Sequence, residues 1–387
     1  MRNSEEKRLQ RVVAPVCAIL FAVFSFVFVA EFQAPSVEAF YNTISTGKLS
    51  FSAYMVGFIV SAVLTLLALW LNTLAKFTRE WTALAYLPSA LILAFITDMD
   101  RSIYTDDGSM FSWISIFILG VLVYSVAAFL CKRILFEKIK NVSVSMNKVL
   151  WRNMVLIVLM FCLVGTLSNS EENFKRETRA MSYFNKGDVD DALAVGKKSL
   201  VASRELTAMR AYMLVVNGKL GEQLFEYPQY YGSEGLFPPM QRTSPIVPDS
   251  VYALIGAKPE PEESVSHFIE RAMQNDTVSN NVTREYYFAS LLLDKKLSEF
   301  KDALFGRYGK TIDKLPKHYR EALMLYEYVA DSTDVVSFSV NDDAMRKRME
   351  EFRAEEAKHA DPVVRGNYIR RYYGDTYWWY FLYGKKE

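Results

Sequence analysis

Cysteine and histidine are both scarce in this chain of 387 residues, with three of each. Cys17, Cys131 and Cys162 all fall in or at the end of long apolar runs, so residues 169–387 can form no disulfide and no cysteine-ligated metal site. Net charge is lacking as well. Against 45 Lys plus Arg stand 44 Asp plus Glu; residues 1–168 hold 14 basic and 10 acidic side chains, and residues 169–387 the other 31 and 34. Halves of +4 and −3 exclude nucleic acid as a partner held by bulk charge. Zinc-ligand spacing, a Gly-x-Ser-x-Gly elbow and a phosphate-binding glycine loop are also absent, so the sequence offers no catalytic residue and implies no cofactor.

Charge is missing in a patterned way. Residues 12–30, 49–75, 81–97, 108–131 and 153–170 contain no Asp, Glu, Lys or Arg. A helix of about 20 apolar residues crosses the hydrocarbon core of a bilayer, so the runs predict five spans, at about 12–30, 51–75, 81–97, 109–131 and 153–169. Pro88 is expected to bend the third. The first reads as an uncleaved anchor, because a signal-peptide cut after Ala30 would place bulky Phe28 where a small residue is needed. Twelve basic residues sit in the N-terminus and the second and fourth connections; only Lys48 and Arg101 lie in the alternate set. Basic connections stay in the cytoplasm, which predicts a cytoplasmic N-terminus, residues 169–387 outside, and a multi-pass protein of the plasma (inner) membrane with a periplasmic domain. Trp70, Trp81, Trp113 and Trp151 near the span ends suit the headgroup level.

A pump or ion-coupled transporter keeps ionisable groups within the bilayer, and these runs hold none, so transport by this chain alone is disfavoured. The outer connection Asp98-Met99-Asp100-Arg101, with Asp106 and Asp107, has two readings: a solvated acidic loop, or a divalent-cation site of the Asp-x-Asp kind used by membrane glycosyltransferases. The basic inner connection from Lys132 to Arg152 mixes aliphatic residues with its charges, as an interfacial helix does.

From Glu171 onward, apolar residues recur every three or four positions among charged ones, the helical period. Helices are expected from Glu172 to Phe184 and from Val189 to Val201, joined by a turn at Asn185-Lys186-Gly187-Asp188. Gly187-Asp-Val189-Asp-Asp191-Ala-Leu193 resembles the turn and second-helix opening of tetratricopeptide repeats, although Arg176 and Arg204 replace that family's usual tryptophan and proline. Gly218-Lys-Leu220-Gly-Glu222-Gln-Leu224 repeats the pattern 31 residues later, and Lys295-Lys-Leu297-Ser-Glu299-Phe-Lys301 echoes it more weakly. The resemblance implies an α-solenoid over 169–387, in which stacked helix pairs bury faces that no pair buries alone. The predicted fold is therefore all-α, a five-helix transmembrane bundle at 1–168 followed by that solenoid.

Two aromatic segments stand out. The Pro- and Gly-rich stretch 225–248 interleaves Tyr227, Gln229, Tyr230, Tyr231, Leu236 and Phe237 with glycines and prolines, and suits either a ligand-contacting loop or one packed across the solenoid. Nine aromatics between Tyr368 and Tyr383, including Tyr377, Trp378 and Trp379, exceed what one helical face buries. They fit three fates: capping the last repeat, lining a concave face, or entering the outer leaflet. The nine side chains named from the two segments are the expected partner-binding residues, meeting across one groove. Each histidine lies three residues from a glutamate (His267/Glu270, His318/Glu321, His359/Glu356); only the last has the Glu-x-x-His order of di-iron ligands, and the pairs read as surface helix pairing. Phe225-Glu-Tyr-Pro-Gln-Tyr-Tyr-Gly232 and Gly374-Asp-Thr-Tyr-Trp-Trp-Tyr380, in this arrangement, resemble an uncharacterised bacterial family of multi-spanning membrane proteins. The sequence thus predicts a membrane-anchored scaffold for an envelope protein, with the bilayer as its other partner. The alternative is a membrane enzyme or enzyme subunit acting on glycans or lipids at Asp98 and Asp100.

Overall fold

The computed structural model describes residues 2–45, 51–75, 79–104, 146–169, 171–199, 201–239, 248–275, 279–309, 314–329 and 338–384. Among these residues every regular element is a helix. The chain divides into two compact units, Met1–Thr178 and Arg179–Glu387.

In the first unit α1 (Arg2–Val27) runs into a π-helical turn at Phe28–Phe32. Then come α2 (Ala34–Ser45), α3 (Ala53–Ala75), a 3-10 segment (Arg79–Tyr86), α4 (Leu87–Thr97), a 3-10 turn (Arg101–Tyr104) and α5 (Met146–Leu167). Three stretches are long and apolar enough to cross a membrane: Val12–Phe32, Ala53–Leu74 and Met146–Leu167. They coincide with the first, second and fifth runs. The third run, Trp81–Thr97, is apolar but shorter. Pro88 does not bend it; the proline sits in the first turn of α4, where its missing N–H breaks no helical hydrogen bond, and so it begins a helix. The run at 109–131, with Asp106, Asp107, Trp113, Cys131 and the basic connection up to residue 145, lies outside the described residues.

This unit has an apolar core that includes Val13, Phe21, Leu64 and Leu93, yet its outer surface is apolar too, unlike that of a water-soluble bundle. Ile19, Phe58 and Leu66 are more than 60% exposed, whereas Ser25, Ser61, Ser89 and Asn153 are buried. The buried polar groups bind backbone. Ser61 donates to the Ala22 carbonyl (2.7 Å) and Ser89 to that of Leu64 (2.9 Å), while Asn153 accepts from the Ala83 N–H (2.8 Å). α3 comes close at Gly57, where an added Cβ would stand 3.0 Å from the Ala30 side chain. Small residues and interhelical hydrogen bonds are the means by which helices associate in lipid.

The division between units falls inside α6 (Glu172–Asn185), ten residues past the expected 168/169 boundary. Arg101 explains why. It pairs with Glu177 at 2.7 Å and Glu171 at 3.2 Å, and Tyr104 lies against Phe174, so the start of α6 packs with the first unit.

The second unit continues with α7 (Val189–Ala194), α8 (Arg204–Val216), α9 (Leu220–Gln223), α10 (Pro248–Ile255), α11 (Val265–Gln274) and α12 (Asn281–Leu293). It ends with α13 (Leu297–Tyr308), α14 (Lys317–Val329), α15 (Asp343–Lys358), α16 (Pro362–Tyr373) and α17 (Tyr377–Tyr383). Side-chain caps mark the starts: Ser203, Ser264, Asn280, Asp342, Asp361 and Thr376 each accept from a backbone N–H two or three residues on. One apolar core extends from Ala180 to Tyr380. α7 stops at Ala194, short of the expected Val201, because Val195 leaves the helical range at φ −58° and ψ 117°.

The three sequence echoes share one turn. Gly187, Gly218 and Lys295 all take a left-handed conformation, with φ of 85°, 64° and 60°. At each, that residue's N–H bonds the carbonyl three residues back, to Phe184, Val215 or Leu292, at 3.0–3.1 Å. The next N–H bonds the carbonyl five residues back, to Tyr183, Leu214 or Leu291, at 2.8–3.0 Å. This double closure is a Schellman cap, and a new helix starts two residues later each time. An added Cβ would meet nothing within 4 Å at Gly218 or at Gly306 in α13. Substitution with alanine therefore isolates the backbone term. Gly218→Ala is expected to destabilise the protein by about 1–2 kcal/mol and Gly306→Ala to stabilise it by about 0.5–1 kcal/mol, read from denaturation of the purified chain; equal effects would contradict the turn assignment.

Candidate functional site

α14 is buried along most of its surface, from His318 to Tyr326. The two aromatic segments converge on it. The Phe225 N–H donates to His318 Nε2 at 3.3 Å, which puts the imidazole proton on Nδ1, and Nδ1 donates to Glu321 Oε2 at 2.8 Å. The same carboxylate oxygen accepts the Tyr377 N–H at 2.8 Å, and the Trp378 indole donates to the Glu321 carbonyl at 2.8 Å. His318 and Glu321 are fully buried, so the surface pairing expected of them is corrected: residues 374–384 and the loop from Phe225 cover the polar face of α14. The other two pairings also differ from expectation. Exposed His267 meets Glu263 rather than Glu270, and His359 lies against the Tyr368 ring while Glu356 accepts from Tyr383.

Rings fill the junction. Phe225 contacts His318, Tyr377 and Tyr380 with centroids 4.9–5.2 Å apart. The hydroxyls of Tyr377 and Tyr380 donate to the carbonyls of Leu292 (3.2 Å) and Leu293 (2.6 Å) at the C-terminal end of α12. Asp375 bonds Lys317 at 3.2 Å and Arg348 at 2.7 Å. Burial raises its carboxyl, but the two cations outweigh burial and hold it below the usual carboxylate range.

Of the nine expected partner-binding residues, six lie in the interior: Tyr227, Gln229, Leu236, Phe237, Tyr377 and Trp378. Tyr227 is flanked by Lys197 and Arg210 at 5.2 and 4.9 Å from its ring. Gln229 donates to the Leu224 carbonyl at 3.0 Å, and Phe237 stacks with Tyr286 at 4.8 Å. The loop and the C-terminal segment do meet, through packed rings rather than across an open groove. Tyr230, Tyr231 and Trp379 stay partly exposed. Tyr231 donates to the Ala202 carbonyl (3.1 Å); Arg370 joins the other two, donating to Tyr230 Oη at 2.9 Å and lying 5.1 Å from the Trp379 ring.

Beside that junction α16 turns apolar side chains outward: Val363 (72% exposed), Val364, Tyr368 and Tyr372. Val364, Tyr368 and Tyr372 are four residues apart and share one face. Sequence reading placed Tyr368 and Tyr372 in the aromatic group but passed over the valines, although that spacing was legible. Asp98 and Asp100 are both exposed. Asp98 ends α4 and Asp100 accepts the Ser102 N–H at 2.8 Å; partial burial, then the neighbouring Asp100, push the Asp98 carboxyl up. Among the described residues no three His, Cys, Asp or Glu side chains are grouped to hold a metal.

Removing the buried carboxylate should release the C-terminus. Glu321→Ala leaves the His318 and Tyr377 N–H donors unpaired, is expected to cost about 1–3 kcal/mol for each and to speed amide exchange across Tyr377–Tyr383, whereas Tyr372→Ala should stay within about 0.5 kcal/mol of the parent. Unchanged exchange in Glu321→Ala would contradict the clamp.

Comparison with curated proteins finds no match, and comparison with solved structures finds none either. The family of unknown function DUF6057 matches residues 7–264 and again 261–384. This chain belongs to that family.

Proposed function

We propose that this protein is a multi-pass protein of a bacterial plasma membrane whose helical-repeat unit stands on the extracytoplasmic side and binds a protein partner of the cell envelope. The observation that carries the reading is the set of large apolar side chains that α1, α3 and α5 of residues 1–178 leave exposed around an apolar core of their own. Four uncharged runs beside the described helices, with a fifth at 109–131, give five spans, and twelve basic residues against two in the connections put the N-terminus in the cytoplasm. The three shared Schellman turns support a tetratricopeptide-like array.

Scaffolding is the mechanism. The α16 face of Val363, Val364, Tyr368 and Tyr372 supplies apolar contact area, with Tyr230, Arg370 and Trp379 beside it. Tyrosine, tryptophan and arginine dominate the energetics of protein interfaces. The buried residues of the aromatic segments have the other role, holding α16 and α17 to the repeats.

A photo-crosslinking amino acid at Val364 or Tyr372, irradiated in intact cells, is expected to capture a discrete envelope protein, while the same probe at exposed Glu350 captures none. Trp379→Ala should reduce the adduct about tenfold, the change that 1.4 kcal/mol of lost contact produces. The same adducts from all three positions, or none from Val364 and Tyr372, would overturn the proposal.

A further inference from the structure

We infer that the first unit holds a hydrocarbon chain of a bilayer lipid in a cavity at one end of its candidate spans; the inference rests on the membrane reading above. A half-open cavity of about 460 Å³ lies among the π-helical turn, α2, the start of α3 and the end of α4, lined by Val29, Val37, Phe40, Val56, Val60 and Ile96. That volume is typical of a ligand site. Its few polar groups are turned to other work. The Thr97 hydroxyl donates to the carbonyls of Leu93 and Ala94 at 2.8 and 3.1 Å, and the surface that the lining side chains turn into the cavity is almost wholly apolar. Ordered water needs two to four polar partners and finds none offered here, while an empty cavity would forfeit dispersion contact for every lining side chain. The occupant that fits is hydrocarbon.

Its source is adjacent. Val56 and Val60 line the cavity, and their neighbours Met55 and Ile59 on α3 face outward, each more than half exposed. The cavity therefore borders the surface that the proposed bilayer covers, and a lipid chain enters it without crossing water. A second feature marks the same place. The turn at Phe28–Phe32 is closed by a five-residue hydrogen bond, Gln33 N–H to Phe28 carbonyl at 3.0 Å, in place of the usual four. Such a turn widens the helix where Val29 meets the cavity, and π-turns recur at functional sites.

The test uses the full chain in nanodiscs of phosphatidylethanolamine and phosphatidylglycerol, a fraction of which carries a photoactivatable acyl chain. Peptide mapping is expected to find labelling at Phe40, Val56 and Val60 several-fold above that at the outward-facing Leu66 and Trp70. Val60→Trp, or Val37→Phe from another helix, fills the cavity and should abolish the excess while leaving Leu66 and Trp70 labelled as before. Even labelling along the spans, or an excess that survives both variants, would overturn the inference. Release of the protein from cell membranes by carbonate would be a different result, the failure of the membrane reading itself.

Discussion

Where the large apolar side chains of residues 1–178 point constrains everything else in this chain. Ile19, Phe58, Leu66 and Trp70 face outward while serines and Asn153 face inward. In water the outward set would forgo roughly 25 cal/mol for each Å² of apolar surface left wet. In hydrocarbon that loss disappears, and what holds helices together is close approach and polar pairing. Gly57 against Ala30, Ser61 on the Ala22 carbonyl and Ser89 on that of Leu64 are contacts of this kind. Residues 179–387 have a more extensive apolar core, and their helix starts are capped.

Within that second unit the costly group is the Glu321 carboxylate. A buried charge is tolerated only when its lone pairs are occupied, and the donors come from His318 and from the backbone of Tyr377. Completing that set requires the chain near Phe225 and the chain after Gly374 to lie on the same helix. The motifs Phe225–Gly232 and Gly374–Tyr380 are therefore two halves of one junction. Asp375 adds ion pairs to α14 and α15, and Thr376 caps the helix that carries Tyr377 and Trp378.

Elements set by local chemistry were legible in the sequence. The uncharged runs at 12–30, 49–75 and 153–170 announced the long apolar helices, and the repeated Gly-x-aliphatic-x-acidic-x-Leu pattern marked two of the three Schellman turns. Lys295 was harder to see, because nothing but the surrounding echo signals a left-handed lysine. Long-range burial was not legible. Three-residue spacing puts His318 and Glu321 on one face of a helix but is silent on what covers that face, and the Phe225 N–H that reaches His318 comes from 93 residues away. Which reading of the aromatic segments holds was not legible for the same reason: rings that fill a junction and rings that wait for a partner have the same composition. Only Tyr230, Tyr231 and Trp379 of the nine keep access to solvent.

In the proposed topology residues 1–178 lie in lipid, and residues 179–387 stand in water on the side away from the N-terminus. The most direct measurement is a pair of fusions to the C-terminus, one to alkaline phosphatase, which is active only after export, and one to a fluorescent protein that matures only in the cytosol. Active phosphatase with a dark fluorescent fusion is the predicted result. A bright fluorescent fusion with inactive phosphatase would place residues 179–387 in the cytoplasm and contradict the account.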